Sequence, residues 1–462
     1  MSFDKIQARE SGLQRRLSAR QMSMIAIGGA IGTGLFLGSK FAIGFAGPSV
    51  LLSYAIGGFI TLLLMGCLAE MTIAHATSGS FGAYAEHYIS PLAGFLVRYA
   101  YWSCIVMAVG TEVTAVAEYM RYWFPAVPSW SWIVLFSGAL IGVNAMSVKA
   151  FGSVEYTFSA IKVFAILAFI ILGAWVVFGG GHAEYGLHLY TANGGFFPHG
   201  SWGMWVAVVI SIFSYLSVEM IAVAAAEAEN PEAAVRQAFR ATIVRLVLFY
   251  LGSLALIVAI VPWADIGKGN SPFVTVMQVL NIPYAAGILN FVVIVAALSA
   301  MNSQLYITTR MMFSLSRGGD APAALGRLTP SGVPRNALLL SCSGIALAAA
   351  VYALFPDQAF TLMMSLSMFG ALFTWMMIFL THWFFRRHHD SHPAQPLSFR
   401  LPLFPASTLL GLLLMLAILV TTAFTDVFRM TLVFGLPFLI LLVALFYLVR
   451  KPAQAELARQ GG

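Results

Sequence analysis

The chain has 462 residues, 60% of them hydrophobic and only 9% charged, with a mean hydropathy of +0.86. Soluble globular domains carry about a quarter charged residues, so this composition excludes a water-soluble enzyme and demands that most of the surface face lipid. The formal charge of +7 invites a nucleic-acid partner, but the basic residues are spread over alternate loops, which excludes a basic binding face.

Stretches apolar and long enough to cross a bilayer are expected at 22–44, 50–74, 92–120, 130–147, 154–178, 202–227, 241–262, 283–312, 336–355, 358–385, 403–424 and 430–449, numbered here as spans one to twelve. Spans three and eight are long enough for strong tilt. Residues 1–21 read as a tail, 386–402 as a linker, 403–449 as two peripheral helices and 450–462 as a second tail. With the first tail (Lys5, Arg9, Arg15, Arg16, Arg20) on the cytoplasmic side, 20 of the 25 lysines and arginines fall on that side. Lys40, Arg121, Lys268 and Arg429 fall opposite, and Lys162 lies within a helix. This bias puts both termini in the cytoplasm and makes the span count even. No cleavage-like boundary follows the polar start of the chain, so span one is expected to stay.

Span one holds Gly28, Gly29, Gly32 and Gly34, each costing about 1 kcal/mol against alanine in a helix interior. Close helix packing explains Gly28 and Gly32; it explains Gly34 and the polar Thr33 less well. A break at Ile31-Gly32-Thr33-Gly34 is expected. Glu70 ends span two and reads as a gate or interface residue. Glu112, in mid-span three, is either a structural hydrogen-bonding group or a pocket or proton-relay residue. Glu155 reads as a favourable charge at the start of span five. Lys162 lies deeper in that span, where a charged lysine costs roughly 2.5–3.5 kcal/mol; it is a functional candidate, against the alternative that it snorkels or is permanently paired.

After span two come Ser80-Phe81-Gly82-Ala83-Tyr84 and a helix entered through Pro91; after span seven come Ser271-Pro272-Phe273-Val274-Thr275-Val276 and a helix entered through Pro283. Together with helix order, this supports two five-helix repeats of inverted topology, 22–200 and 201–385. Spans one and six are then partners, and a second break is expected in span six; Glu219 reads as a group that braces opened backbone, against a pocket or proton-relay role. Asn230-Pro231 reads as a hinge. Asn302 and Ser303 on span eight either complete the surroundings of Lys162 or bond helix to helix.

No metal site or cofactor is expected. Cys67, Cys104 and Cys342 have no paired spacing, and the histidines fall in or beside loops apart from His382. A membrane enzyme is opposed by the lack of His-Glu-x-x-His or Gly-x-Ser-x-Gly. A primary pump is opposed by the lack of a phosphate loop. Nothing in the pattern marks an oligomeric state.

Gly28-Gly29-Ala30-Ile31-Gly32-Thr33-Gly34-Leu35-Phe36-Leu37-Gly38 resembles the first-helix signature of bacterial amino acid permeases of the amino acid-polyamine-organocation superfamily. Ser78-Gly79-Ser80-Phe81 with Tyr84-Ala85, Phe213-Ser214-Tyr215 with Glu219, Ala226-Glu227-Ala228-Glu229-Asn230-Pro231, and the run from Arg310 to Pro322 resemble further family motifs in family order. The resemblance implies an all-α fold of twelve membrane helices, of the leucine-transporter type, with 5+5 inverted repeats and discontinuous helices one and six. It implies uptake of an amino acid, usually with a proton.

The half-helix after Gly34 then suits the substrate carboxylate, and carbonyls freed from Phe213 to Leu216 suit the ammonium. Ile31, Phe213, Tyr215 and Leu216 suit a neutral, aromatic or branched side chain. The resemblance also implies that Lys162 stands where sodium-driven relatives hold a cation, bridging spans one and eight. Ser217 departs from the family, in which glycine is common. Open alternatives are a sodium-independent exchanger, a permease for a cationic or γ-aminobutyrate-like substrate, and an amino acid sensor without flux.

Overall fold

The computed structural model describes residues 3–10, 12–13, 17–18, 21–22, 24, 31–179, 181, 183–266, 271–356, 358–391 and 397–460. Eleven helices among them are long and apolar enough to cross a membrane. Ten match spans three to twelve: Pro91–Met120, Ser129–Met146, Val148–Phe178, Gly200–Glu227, Pro231–Ile260, Ala285–Arg317, Arg335–Leu354, Ala359–Asp390, Ala406–Ala423 and Asp426–Leu448. Spans one and two, expected apart, form one helical run, Gly34–Ala74. The link between them is itself a helical turn, Gly47–Ser49, in which Gly47 (φ +58°, ψ −143°) interrupts α geometry before Val50–Ala74. Gly28 and Gly29 lie outside the described residues.

Local chemistry sets several boundaries. Ser90 Oγ accepts from the Ala93 N–H at 3.1 Å, and Pro91 occupies the first helical position, where its missing N–H costs nothing. Ser147 caps span five in the same way through Ala150, so that helix starts at Val148, ahead of the expected 154. Asn230 caps the helix that Pro231 opens. Pro283 departs from expectation: span eight begins at Ala285, because Tyr284 (φ +63°) stands left-handed between them. Span ten continues as helix to Asp390, taking in the first residues of the expected linker.

Span six is the centre of the bundle. Its most apolar window is fully enclosed, whereas those of spans four and twelve are 22% buried. Span three packs along spans eight and ten, and span two along span six. The perimeter exposes large apolar groups, including Phe164, Ile171, Trp175 and Phe178 on span five, as a lipid-facing surface requires.

One end of the bundle is sealed by the amino-terminal helix, Phe3–Arg9. Phe3 stacks on His75 with ring centroids 4.1 Å apart. The Glu10 carboxylate accepts from Thr77 Oγ1 (2.6 Å), the Gly79 N–H (2.7 Å) and Ser314 Oγ (2.5 Å), and pairs with Arg98 at 3.3 Å. Glu86 pairs with Arg9 and Arg98 beside it. The residues at Leu17 and Ala228 form a short parallel bridge.

Candidate functional site

Two helix interruptions meet at the centre. Ile31 and Gly32 are not helical, and Gly34–Gly38 forms a wide π-helical turn before α geometry resumes at Ser39. Span six is α-helical over Gly200–Tyr215, opens through 216–219, and resumes over Met220–Ala224. Ser217 lies in the opening with φ +73°, a left-handed conformation that costs an L-residue roughly 1–2 kcal/mol and glycine almost nothing. Glycine is therefore the residue that the backbone favours at this position.

Gly34 allows the two breaks to touch. A Cβ there would lie 2.6 Å from Ser214 Cα, and Ser214 Oγ donates to the Gly34 carbonyl at 2.6 Å. Three tyrosines fix this junction. The Tyr54 hydroxyl lies 2.9 Å from Ser214 Oγ, Tyr250 donates to the Ser214 carbonyl at 2.8 Å, and Tyr215 donates to the Tyr54 carbonyl at 2.9 Å. The Tyr215 hydroxyl is thus spent on span two.

A small cavity lies between the breaks, lined by Gly32 and Gly34, by Phe213, Ser214, Leu216 and Ser217, by Glu112, and by Ala300 and Gln304 of span eight. Glu112 is buried and accepts from the Thr33 N–H at 3.3 Å. It occupies the room that the missing side chain of Gly32 leaves, since a Cβ there would stand 2.8 Å from Glu112 Oε1. In this conformation an amide at the break in span one therefore already meets a carboxylate of the protein. The carbonyls of span six are likewise partly engaged: Phe213 accepts from the Leu216 N–H, Ser214 from Tyr250, and Tyr215 from the Val218 N–H. The Leu216 carbonyl accepts no hydrogen bond among the described residues.

Lys162 is fully buried beside this cavity. Its Nζ donates to the Ile31 carbonyl at 3.0 Å and to Ser299 Oγ at 2.8 Å, joining span five to spans one and eight. Ser299 in turn donates to Glu155 at 2.5 Å. Glu155 also accepts from Ser159 and Asn302, and Asn302 accepts from Asn144 at 2.8 Å. Asn302 thus belongs to the Lys162 network at one remove. Ser303 is buried on the same helix and lines no part of the cavity, and its hydroxyl has no hydrogen-bond partner among the described residues.

Glu155 differs from its reading as a charge at a helix start. Because span five begins at Val148, it lies two turns inside and fully buried, where a carboxylate needs partners.

Glu219 lies outside the cavity and braces the opened backbone. It accepts from Tyr101 at 2.6 Å, from the Ser217 N–H at 3.1 Å and from Trp375 at 3.3 Å. Glu70 ties span two to span ten and the following segment through His382, Arg386 and the Leu401 N–H. Glu227 accepts from Tyr306 at 2.6 Å and from Arg310 at 2.8 Å.

Four participants escape a reading of the sequence. Ser299 precedes Asn302 and Ser303 by one helical turn, and Gln304 follows Ala300 by one, so helical spacing from the polar pair was a usable signal. Glu10 carries no such signal, being one polar residue in a polar tail. Arg245 looks like a cytoplasmic charge from its position near a span end, yet it is fully buried at the start of a π-helical stretch, Arg245–Gly252.

The family model for amino acid permeases matches residues 21–458. The chain is 38% identical over 445 residues to an uncharacterised amino acid permease, YtnA, of Bacillus subtilis (strain 168), covering 96% of each. It is 38% identical over 442 residues to the aromatic amino acid transport protein AroP of Escherichia coli (strain K12), covering 95% of this chain and 96% of AroP. Among solved structures, it matches a manganese transporter of Eremococcus coleocola with a TM-score of 0.60 over 94% of both chains. At 14% identity that likeness is one of fold, the leucine-transporter type. The chain belongs to the amino acid permease family, as an all-α multi-pass membrane protein.

Proposed function

We propose that this permease imports a neutral amino acid, aromatic ones foremost, across the bacterial inner membrane by alternating access, in symport with a proton and with both termini in the cytoplasm. The observation that carries the reading is the contact of two interrupted helices at Gly34 and Ser214, with a cavity between them. Interrupted helices present backbone N–H groups and carbonyls at membrane depth, which is what a zwitterion needs on leaving water. The substrate carboxylate displaces Glu112 from the Thr33 N–H, and the ammonium meets the Leu216 carbonyl. Phe213 and Leu216 supply an apolar wall, and the likeness to AroP supports aromatic side chains.

Lys162 is the proton site in this scheme. When charged it holds Ile31 and Ser299 together; when it gives up its proton both bonds lose the charge that strengthens them and the tie between spans one and eight loosens. Glu112, a carboxylate in the cavity wall, favours a second reading in which a cationic side chain is taken. A competition panel in proteoliposomes separates the two: phenylalanine, tyrosine, tryptophan and leucine should compete for uptake, and lysine and γ-aminobutyrate should not. Saturable counterflow is expected, and its absence alongside binding would favour a sensor.

A further inference from the structure

We infer that Gln304, together with Ser217, selects amino acids whose side chain carries a hydrogen-bond donor, such as a phenol, an indole N–H or an aliphatic hydroxyl, over counterparts that lack one. The inference rests on the reading of the cavity as an amino acid site.

Gln304 and Ser217 both line the cavity, and each is 5% exposed. No protein group among the described residues hydrogen-bonds Gln304 Oε1 or Ser217 Oγ. Buried polar atoms are nearly always paired, so two orphans on one small cavity call for a ligand that pairs them. Gln304 Oε1 is the carbonyl oxygen of a primary amide.

A carbonyl oxygen accepts and never donates. The ligand atom that meets it must therefore bring the hydrogen. Spans one and six offer backbone groups for the charged ends of the ligand, which leaves its side chain for the wall formed by span eight. On that wall Ala300, one turn before Gln304, offers no polar atom. A side chain that ends in carbon strands Gln304 Oε1, and stranding a buried polar group weakens binding by about tenfold or more.

The test is ligand-induced thermal stabilisation of the purified full-length protein, titrated with matched pairs: tyrosine against phenylalanine, tyrosine against O-methyltyrosine, and threonine against valine. In each pair that binds, the donor-bearing member should bind about tenfold tighter or more. In Gln304→Leu or Gln304→Met, read on whichever keeps ligand binding, the ratio should fall to within about twofold. Equal affinities in the wild-type pairs, or tighter binding of the donor-less members, would overturn the inference whatever the variants do. So would an unchanged ratio in a folded Gln304 variant. Failure of every amino acid to bind would instead bring down the amino acid reading of the cavity itself.

Discussion

The ammonium of Lys162 lies 3.0 Å from the Ile31 carbonyl and 2.8 Å from Ser299 Oγ, so a single charge on span five touches the interrupted part of span one and the middle of span eight. Its counter-charge stands one hydroxyl away, because Ser299 passes its own hydrogen to Glu155. Breaking a buried ionic network on one side costs more than the network contributes, since the other charge is left without compensation. Ser299→Ala should therefore lower stability by about 1–3 kcal/mol, and Glu155→Gln by at least as much, with uptake reduced in both. Thermal melting of the purified variants checks this; melting like the wild type in both would contradict it.

Gly34 lies against backbone. The atom a new Cβ would strike is Ser214 Cα, at 2.6 Å, which cannot step aside as the end of a side chain can. Gly34→Ala should push spans one and six apart and reduce initial uptake by at least about a hundredfold, as small displacements at a reacting or binding centre do. Kinetics of uptake in cells expressing equal amounts of protein at the membrane measure this directly. Near-normal uptake would show that the contact is dispensable.

Ser217 carries a conformational penalty at φ +73° that glycine would not. Ser217→Gly should raise stability by about 1 kcal/mol, and the β-branched Ser217→Val should lower it by more than that. Their order in a thermal melt is the readout, and a destabilised glycine variant would contradict the argument.

Acid should loosen the sealed end of the bundle. Burial alone would raise the Glu86 carboxyl, but the guanidinium groups of Arg98 and Arg9 outweigh it and hold the group below its ordinary value of 4.5. Its stabilising contribution is complete above that value and is lost as pH falls through the lowered one. His75 is held down to about 4 by burial and by the neighbouring His389, His87 and His388. The unfolded chain protonates that histidine below about 6.5 while the folded one stays neutral until about 4, so stability drops across this window as pH falls. Melting temperature against pH should slope between 6.5 and 4 and steepen below 4.5. His75→Gln should flatten the first part and Glu86→Gln the second.

Most of this architecture is legible in the sequence because lipid imposes a simple rule: about twenty apolar residues per crossing, with every backbone group bonded inside its own helix. Where the chain violates that rule, at Gly32, Thr33 and Gly34 of span one and at Lys162, the violation is visible without coordinates, and those positions do lie at the centre of the fold. Pairwise geometry is not visible. That Glu155 turns inward follows from Ser147 starting the helix early, and that Pro283 stops short of span eight follows from the left-handed Tyr284. The closure around Glu10 depends on a tail folding back to reach both Gly79 and Ser314, residues far apart in the chain. Gln304 hides because one glutamine in a long apolar helix looks like any helix-to-helix hydrogen-bonding group.

The measurement that bears most directly on the account is accumulation of a labelled aromatic amino acid in proteoliposomes, under an inward proton gradient and with no sodium present. The wild-type protein should accumulate label above equilibrium and lose it on addition of a protonophore, while Lys162→Ala, reconstituted in equal amount, should not accumulate at all. Strict dependence on sodium, or proton-driven accumulation by Lys162→Ala equal to the wild type, would contradict the role given to Lys162.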